Sequence, residues 1–214
     1  MRAAAGTWGG RTADERRTER RQRLIAAATE IWSENGWAAV TMRGVCARTS
    51  LNDRYFYEVF EDRDAMLVAV WDSVRTEVLE LVADVLAENA EQPPLETLRI
   101  VITAVVDRIT QDPGRAQIML GHHAGSTVLE DRRASALQDA TDLIVAAATP
   151  HLKSGVDETA LRMDVLIGIG GFYELLVAWL SGVLELEPDQ IVTHTTRFGA
   201  AMATQYLKLT PVRG

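Results

Sequence analysis

Apolar residues recur three and four positions apart along nearly all of the 214-residue chain, and no stretch alternates apolar with polar residues for long enough to make a sheet. A chain patterned in this way hides its apolar stripes by packing helix on helix, so the expected fold is all-α. Start and stop residues divide it into helices. Thr12 and Glu15 have capping-box spacing at the head of a first helix that runs to Asn35-Gly36, with Leu24, Ala27, Ala28, Ile31 and Trp32 on one face. Thr41 is a suitable N-cap for a short second helix through Arg48, and Asn52 for a third that ends near Glu58. Asp62 to Asp64 open a long fourth helix toward Ala90, which Pro93-Pro94 break. Further helices are predicted over 95–110, 113–126, 129–148, 157–184 and 188–209, with Pro113 and Pro188 in first turns, where proline costs no hydrogen bond.

The segment from Leu24 to Phe60 is the most informative. Two short helices joined by the tight link Thr49-Ser50-Leu51 and braced by a longer preceding helix have the pattern of a helix-turn-helix. Leu24, Ala28, Ile31, Val45, Cys46, Leu51, Phe56 and Phe60 are spaced to share one small core. That leaves Asp53, Arg54, Tyr55 and Tyr57 on the outer faces of the third helix, where a major groove would meet them.

Charge is distributed unevenly. The net charge of -8 argues against a polyanionic partner. Up to Arg63, however, eleven arginines and no lysine face nine acidic residues, whereas the remainder holds eleven basic against twenty-one acidic ones. Arg11, Arg16, Arg17, Arg20, Arg21 and Arg23 crowd one short stretch, either as a face for phosphate or as a solvated helix surface. The single cysteine, Cys46, forms neither an internal disulfide nor a thiolate cage. There is no apolar leader at the N-terminus and no apolar run of spanning length without a charged or polar break, so a cytoplasmic chain with no membrane partner is expected. Glycine-rich phosphate loops, nucleophile elbows, metal spacings and paired carboxylates beside a base are all missing from the pattern, so neither an enzyme nor a cofactor is expected. A helical adaptor that binds protein rather than DNA is the alternative left open.

From Thr41 to Leu67 the chain resembles, without a gap, the DNA-binding signature of the TetR family of bacterial regulators. The match includes Thr41-x-Arg43, Tyr57-x-x-Phe60 and Arg63-Asp64-Ala65. Upstream, Arg23 to Trp37 is similar to the family's first helix with its closing glycine-aromatic pair, so the resemblance covers roughly residues 16 to 70. It implies a basic arm over 1–15, a three-helix DNA-binding domain over 16–62, and a larger helical ligand-binding and dimerisation domain over 63–214. Its implied function is a homodimeric regulator, a repressor or an activator, that binds a pseudo-palindromic operator and responds to a small apolar or amphipathic effector. The chain departs from the family in the turn and on the third helix. Ser50 stands where glycine is usual, and a left-handed backbone there would cost on the order of 1 to 2 kcal/mol. Arg54 and Tyr55 replace smaller residues.

Arg54 can take guanine O6 and N7 together or meet a phosphate. The resemblance gives Tyr57 a phosphate contact, while Tyr55 meets phosphate or a thymine methyl; for both, the alternative is packing in the motif core. Asn52 caps the third helix in either case, and Asp53 complements the helix dipole or accepts from a cytosine amine. Thr41 and Arg43 form a phosphate site at the start of the second helix. Arg63 occupies the family's lysine position, another phosphate contact. Cys46 stands where alanine is common, as a small core residue or, less simply, a redox sensor.

In the C-terminal part, His122-His123 lie adjacent, about 100° apart on a helix, with no further ligand at metal spacing, so no metal site is expected. An apolar cavity between the later helices would be lined by Trp71, Ile102, Val106, Met119, His122, His123, Phe172, Tyr173 and Leu176, unless each is plain core. The last two long helices suit a dimer surface. Gly168, Gly170 and Gly171 permit close approach, and Leu175, Trp179, Leu180, Val183, Phe198, Ala201 and Met202 supply apolar area.

Overall fold

The computed structural model describes residues 12–121, 123 and 125–208. Among these residues it is built of nine α-helices with no strand: α1 (Ala13–Asn35), α2 (Met42–Thr49), α3 (Asp53–Tyr57), α4 (Arg63–Glu88), α5 (Pro94–Gln111), α6 (Pro113–Leu120), α7 (Thr127–Ala148), α8 (Glu158–Leu180) and α9 (Pro188–Tyr206). Short 3-10 turns cover Trp37–Ala39 and Thr149–His151, and an isolated antiparallel bridge joins Leu152 to Leu207.

The helix ends follow local chemistry. Thr12 Oγ1 accepts from the Glu15 amide at 3.1 Å while the Glu15 carboxylate accepts from the Thr12 amide at 2.6 Å, so both free donors are satisfied reciprocally. Residues 13–15, placed in a basic arm by the family resemblance, form the first turn of α1, as the capping-box spacing predicts; residues 1–11 of that arm, Arg11 included, lie outside the described residues. Side chains of Thr41, Asn52 and Asp62 cap α2, α3 and α4. Pro94, Pro113 and Pro188 each occupy a first turn. Three helices stop short of their expected ends. α6 ends at Leu120 rather than Ser126 because Gly121 turns to extended backbone, where a Cβ would fall 2.4 Å from the Gln117 carbonyl oxygen. α8 ends at Leu180 rather than Leu184, ahead of Gly182 at φ 74°, and α9 ends at Tyr206 rather than Leu209.

Burial divides into two cores. The first joins Leu24, Ala28 and Trp32 of α1 with Val45, Cys46, Phe56 and Phe60, then continues into Met66, Leu67, Val70, Trp71 and Val74 of α4, Ile118 of α6 and Leu129 of α7. The second lies among α5, α8 and α9, around Ile102, Val106, Ile109, Leu176, Val177 and Ile191. Each fully buried large side chain contributes roughly 1.5 to 3 kcal/mol relative to exposure. α6 packs on α1, α4 and α8, so one short helix bridges the two ends of the molecule. Its approach to α1 is tight: a Cβ on Gly114 would lie 3.0 Å from the Ser33 carbonyl oxygen.

Among the described residues, α8 is long and apolar enough to cross a membrane, with mean hydropathy 1.6 over its most apolar window and only 6% of that window buried within the chain. Its polar groups are nonetheless tied to neighbouring helices. Arg162 pairs with Asp142 and Glu174 with Arg133, both on α7, and Asp164 accepts from the Tyr206 hydroxyl of α9 at 2.5 Å. Those ties are what a helix needs inside a bundle, with one remaining face left for another surface.

Candidate functional site

The DNA-facing candidate begins with the link between α2 and α3. Ser50 lies in the left-handed region at φ 56°, ψ 30°, where a Cβ crowds the following carbonyl. The geometry is a Schellman motif: the Leu51 amide donates to the Cys46 carbonyl at 3.1 Å and the Ser50 amide to the Ala47 carbonyl at 3.3 Å. Arg23 of α1 closes the same corner by donating to the Thr49 carbonyl at 2.7 Å. The turn that the sequence left open is therefore the ordinary one, held with a side chain in place of a hydrogen atom.

On α3 the chemistry faces outward. Arg54 has an 84% exposed side chain, Tyr57 is 60% exposed, and Tyr55 and Asp53 are exposed too. Phe56 is buried between them and fixes the helix on α1. Asn52 Oδ1 accepts from the Tyr55 amide at 3.2 Å, as an N-cap should. Thr41 spends its hydroxyl as an acceptor for the Gly44 amide at 3.1 Å, and Arg43 is exposed. A network missed in the sequence joins α1 to α3. Glu58 accepts Arg20 at 3.1 Å and pairs with Arg54 at 3.3 Å, while the Arg20 guanidinium lies 5.0 Å from the Tyr55 ring centre. Arg63 is drawn inward: it donates to the Val40 and Trp37 carbonyls at 2.6 and 2.7 Å and sits over the Trp37 ring. It locks the 3-10 turn to the start of α4, a role the sequence did not suggest. Cys46 is buried beneath this surface, and burial, helped by Asp53, pushes its thiol above the usual range.

A cavity of about 220 Å³ opens between α4, α5, α6, α7 and α8. Of the residues expected there, Trp71, Met119, Phe172, Tyr173 and Leu176 line it. Ile102 and Val106 do not. The cavity takes Val101 and Val105 from α5, one position away and so about 100° around the helix; Ile102 and Val106 fill the core with α8 and α9 instead, and Ile109 borders both. His123 is also elsewhere, edge-on to Trp32 at 5.5 Å between ring centres, and His122 lies outside the described residues. Apolar side chains from α4 and α7 that the sequence did not single out, including Val78, Val82, Leu137 and Ile144, complete the wall.

Polar groups are few and mostly committed. Glu77 accepts Arg115 Nε and Nη2 at 3.0 and 2.5 Å and Arg108 at 3.4 Å. The Tyr173 hydroxyl donates to the Met119 carbonyl at 2.8 Å, and burial raises its phenol above the ordinary value. Arg133 stacks over the Tyr173 ring at 4.4 Å and pairs with Glu174.

The outward face of α8 is apolar in a register the sequence did not isolate. Met163, Leu166 and Ile167 are exposed, the last by 63%, beside exposed Gly171, with Phe198 and Ala201 exposed on α9. Val183 is exposed in the loop after α8. Leu175, Trp179 and Leu180 instead pack against the second core, Trp179 donating its indole N–H to the Leu186 carbonyl at 2.9 Å. A Cβ on Gly168 would lie 3.9 Å from Met202 Cε of the same chain.

Residues 24–70 match the pattern described as bacterial regulatory proteins of the tetR family. The helix-turn-helix domain is of the TetR family. No curated protein matches the chain in sequence. Solved structures of TetR-like regulators share its fold across nearly the whole length. A putative TetR-family regulator from Mesorhizobium loti has a TM-score of 0.69 at 13% identity, covering 90% of this chain and 98% of its own. SmeT, the repressor of the Stenotrophomonas maltophilia multidrug efflux pump SmeDEF, has 0.65 at 17% identity, covering 88% and 90%. A SmeT–triclosan complex has 0.61 at 20% identity, covering 89% and 92%. Within this TetR-family domain, the bulk added by Arg54 and Tyr55 stands clear of the core, so it changes the outer surface and leaves the packing alone.

Proposed function

We propose that this chain is a cytoplasmic, homodimeric transcriptional repressor whose α3 reads a pseudo-palindromic operator and whose cavity takes a small apolar or amphipathic effector that releases the DNA. Residues 16–62 serve as the DNA-reading part, and 63–214 as the part that binds effector and dimerises. The observation that carries this reading is the exposed set Arg54, Tyr55 and Tyr57 on α3, flanked by the arginine-rich start of α1 within the TetR-family segment. Such a surface offers base readout and phosphate contacts together.

The exposed apolar faces of α8 and α9 suit a second copy of the chain, which would cover Met163, Leu166, Ile167 and Phe198 by twofold symmetry. Two recognition helices would then sit roughly 34 to 36 Å apart, one turn of DNA. Release follows if the effector prefers the conformation that holds DNA poorly. α4 carries Trp71 and Val74 at the cavity and starts directly after α3, and α6 carries Met119 at the cavity and Gly114 against α1. Both helices thus give a ligand purchase on the spacing of the heads.

The experiment is selection of bound duplexes from a random library by the purified protein, followed by a salt titration beside Arg54→Ala. The expected outcome is enrichment of an inverted repeat, affinity that falls steeply with salt, and a loss of about 1 to 3 kcal/mol of discrimination at one base position in the variant. A library that yields no enriched sequence refutes the regulator.

A further inference from the structure

Two side chains that line the cavity carry a buried donor with no partner. Trp71 lines it, is 1% exposed, and its indole Nε1 has no hydrogen-bond acceptor. Arg133, on the α7 side, lines it too, and its Nε is buried and unsatisfied in the same way. An N–H removed from water without an acceptor is costly, so native proteins rarely leave one bare. Neither indole nor guanidinium nitrogen can rotate its hydrogen elsewhere, because the N–H lies in the plane of a rigid group.

The remaining polar groups define what the ligand lacks. The Glu77 carboxylate is filled by Arg108 and Arg115, and Asp112, exposed among the lining residues, accepts the Arg115 amide as the cap of α6, so a cationic ligand meets no carboxylate that is not already engaged. Glu77 and Asp112 together balance Arg108 and Arg115 in charge, and Glu174 pairs with Arg133, so an anionic ligand meets no unbalanced cation and still loses its hydration. The Tyr173 hydrogen is already given to the Met119 carbonyl. Around these groups the wall is aliphatic and aromatic.

We propose that the cavity takes an uncharged, mainly hydrocarbon molecule bearing an oxygen acceptor, a ketone or ester carbonyl, which receives the indole N–H of Trp71. This rests on the reading of the cavity as the effector site. Because Trp71 also belongs to the core shared with α1 and α3, the bond engages a side chain of the core that both parts of the protein share.

The test uses the full-length protein and four probes of similar size: 2-octanone, nonane, octylamine and octanoate. Binding of each is measured by calorimetry to the wild type and to Trp71→Phe, which keeps an aromatic ring and removes the donor. The ketone is expected to lose about five- to tenfold in affinity in the variant, the worth of one neutral hydrogen bond, while nonane changes by less than about twofold. Octylamine and octanoate are expected to bind more weakly than the ketone to the wild type. Comparing the two neutral probes cancels any general loosening of the core. If the variant does not fold, the indole N–H resonance of Trp71 in the wild type decides: it should move downfield with 2-octanone and not with nonane. Equal losses for ketone and nonane, an unmoved resonance, or tighter binding of either ion overturns the acceptor proposal while leaving the cavity a ligand site. Failure of all four probes to bind overturns the effector site itself.

Discussion

Replacing Ser50 with glycine should stabilise the folded chain by about 0.5 to 1 kcal/mol. The serine backbone is left-handed at φ 56°, a conformation that costs an L-residue roughly 1 to 2 kcal/mol and glycine almost nothing. Glycine returns part of that gain because its unfolded state is freer, by roughly 0.5 to 1 kcal/mol. The side chain is exposed, so its removal leaves no hole, and the two Schellman hydrogen bonds use only backbone. Urea unfolding should show a midpoint about 0.2 to 0.4 M higher at an unchanged slope, for a slope near 2.5 kcal/mol/M, with the melting temperature up by about 1 to 4 °C. Protein concentration must be held constant, since self-association would also shift the midpoint. Ser50→Ala is the control: it deletes the hydroxyl but keeps the strain, and should not stabilise. A glycine variant no more stable than the alanine variant would refute the claim that strain is stored at this turn.

Three other substitutions test the geometry around it. Glu58→Gln releases Arg20 and Arg54 from their shared carboxylate, so non-specific duplex binding should tighten by about two- to fivefold and its salt dependence steepen, as read by fluorescence anisotropy; unchanged binding would show that the acid does not restrain them. Gly114→Val places carbon against the Ser33 carbonyl and should cost about 1 to 3 kcal/mol of stability in urea unfolding, whereas an unaltered midpoint would mean that α6 yields without cost. Ile167→Glu should weaken self-association by about 3 to 6 kcal/mol for its two copies, a 10²- to 10⁴-fold rise in the dimer constant by sedimentation. A dimer constant unmoved by Ile167→Glu would place the interface elsewhere.

Much of the fold was legible because the information was local. The Thr12–Glu15 capping box, the cap at Asn52, the Asn35-Gly36 stop and the prolines at 113 and 188 each act over a few residues, and each falls where the sequence put it. The expected core of the three-helix head also holds, with Ile31 and Leu51 only partly buried at its edge. What the sequence could not show depends on three-dimensional neighbours. α5 is apolar on more than one side, so periodicity does not choose between the pair Val101 and Val105 and the pair Ile102 and Val106; the choice depends on where α9 packs. α8 is apolar nearly all round, and its open face through Met163 and Ile167 emerges only once α7 and α9 cover the others. Arg63 looks like any basic residue at a helix start until the 3-10 turn presents two carbonyls to it.

The first core runs without interruption from α1 through α3 into α4, α6 and α7. A head cut off after residue 62 would lose Met66, Leu67, Val70, Trp71 and Ile118 from beneath Trp32 and Phe56, and would expose what they cover. The boundary between the proposed tasks of reading DNA and sensing a ligand is therefore not one of folding: the continuous core predicts that the two halves melt as a single cooperative unit and that their slowest-exchanging amides share one opening free energy. A molecule that tightens the cavity lends part of its binding energy to the amides of α1 and α3, so protection from hydrogen exchange in the head reports occupancy some distance away.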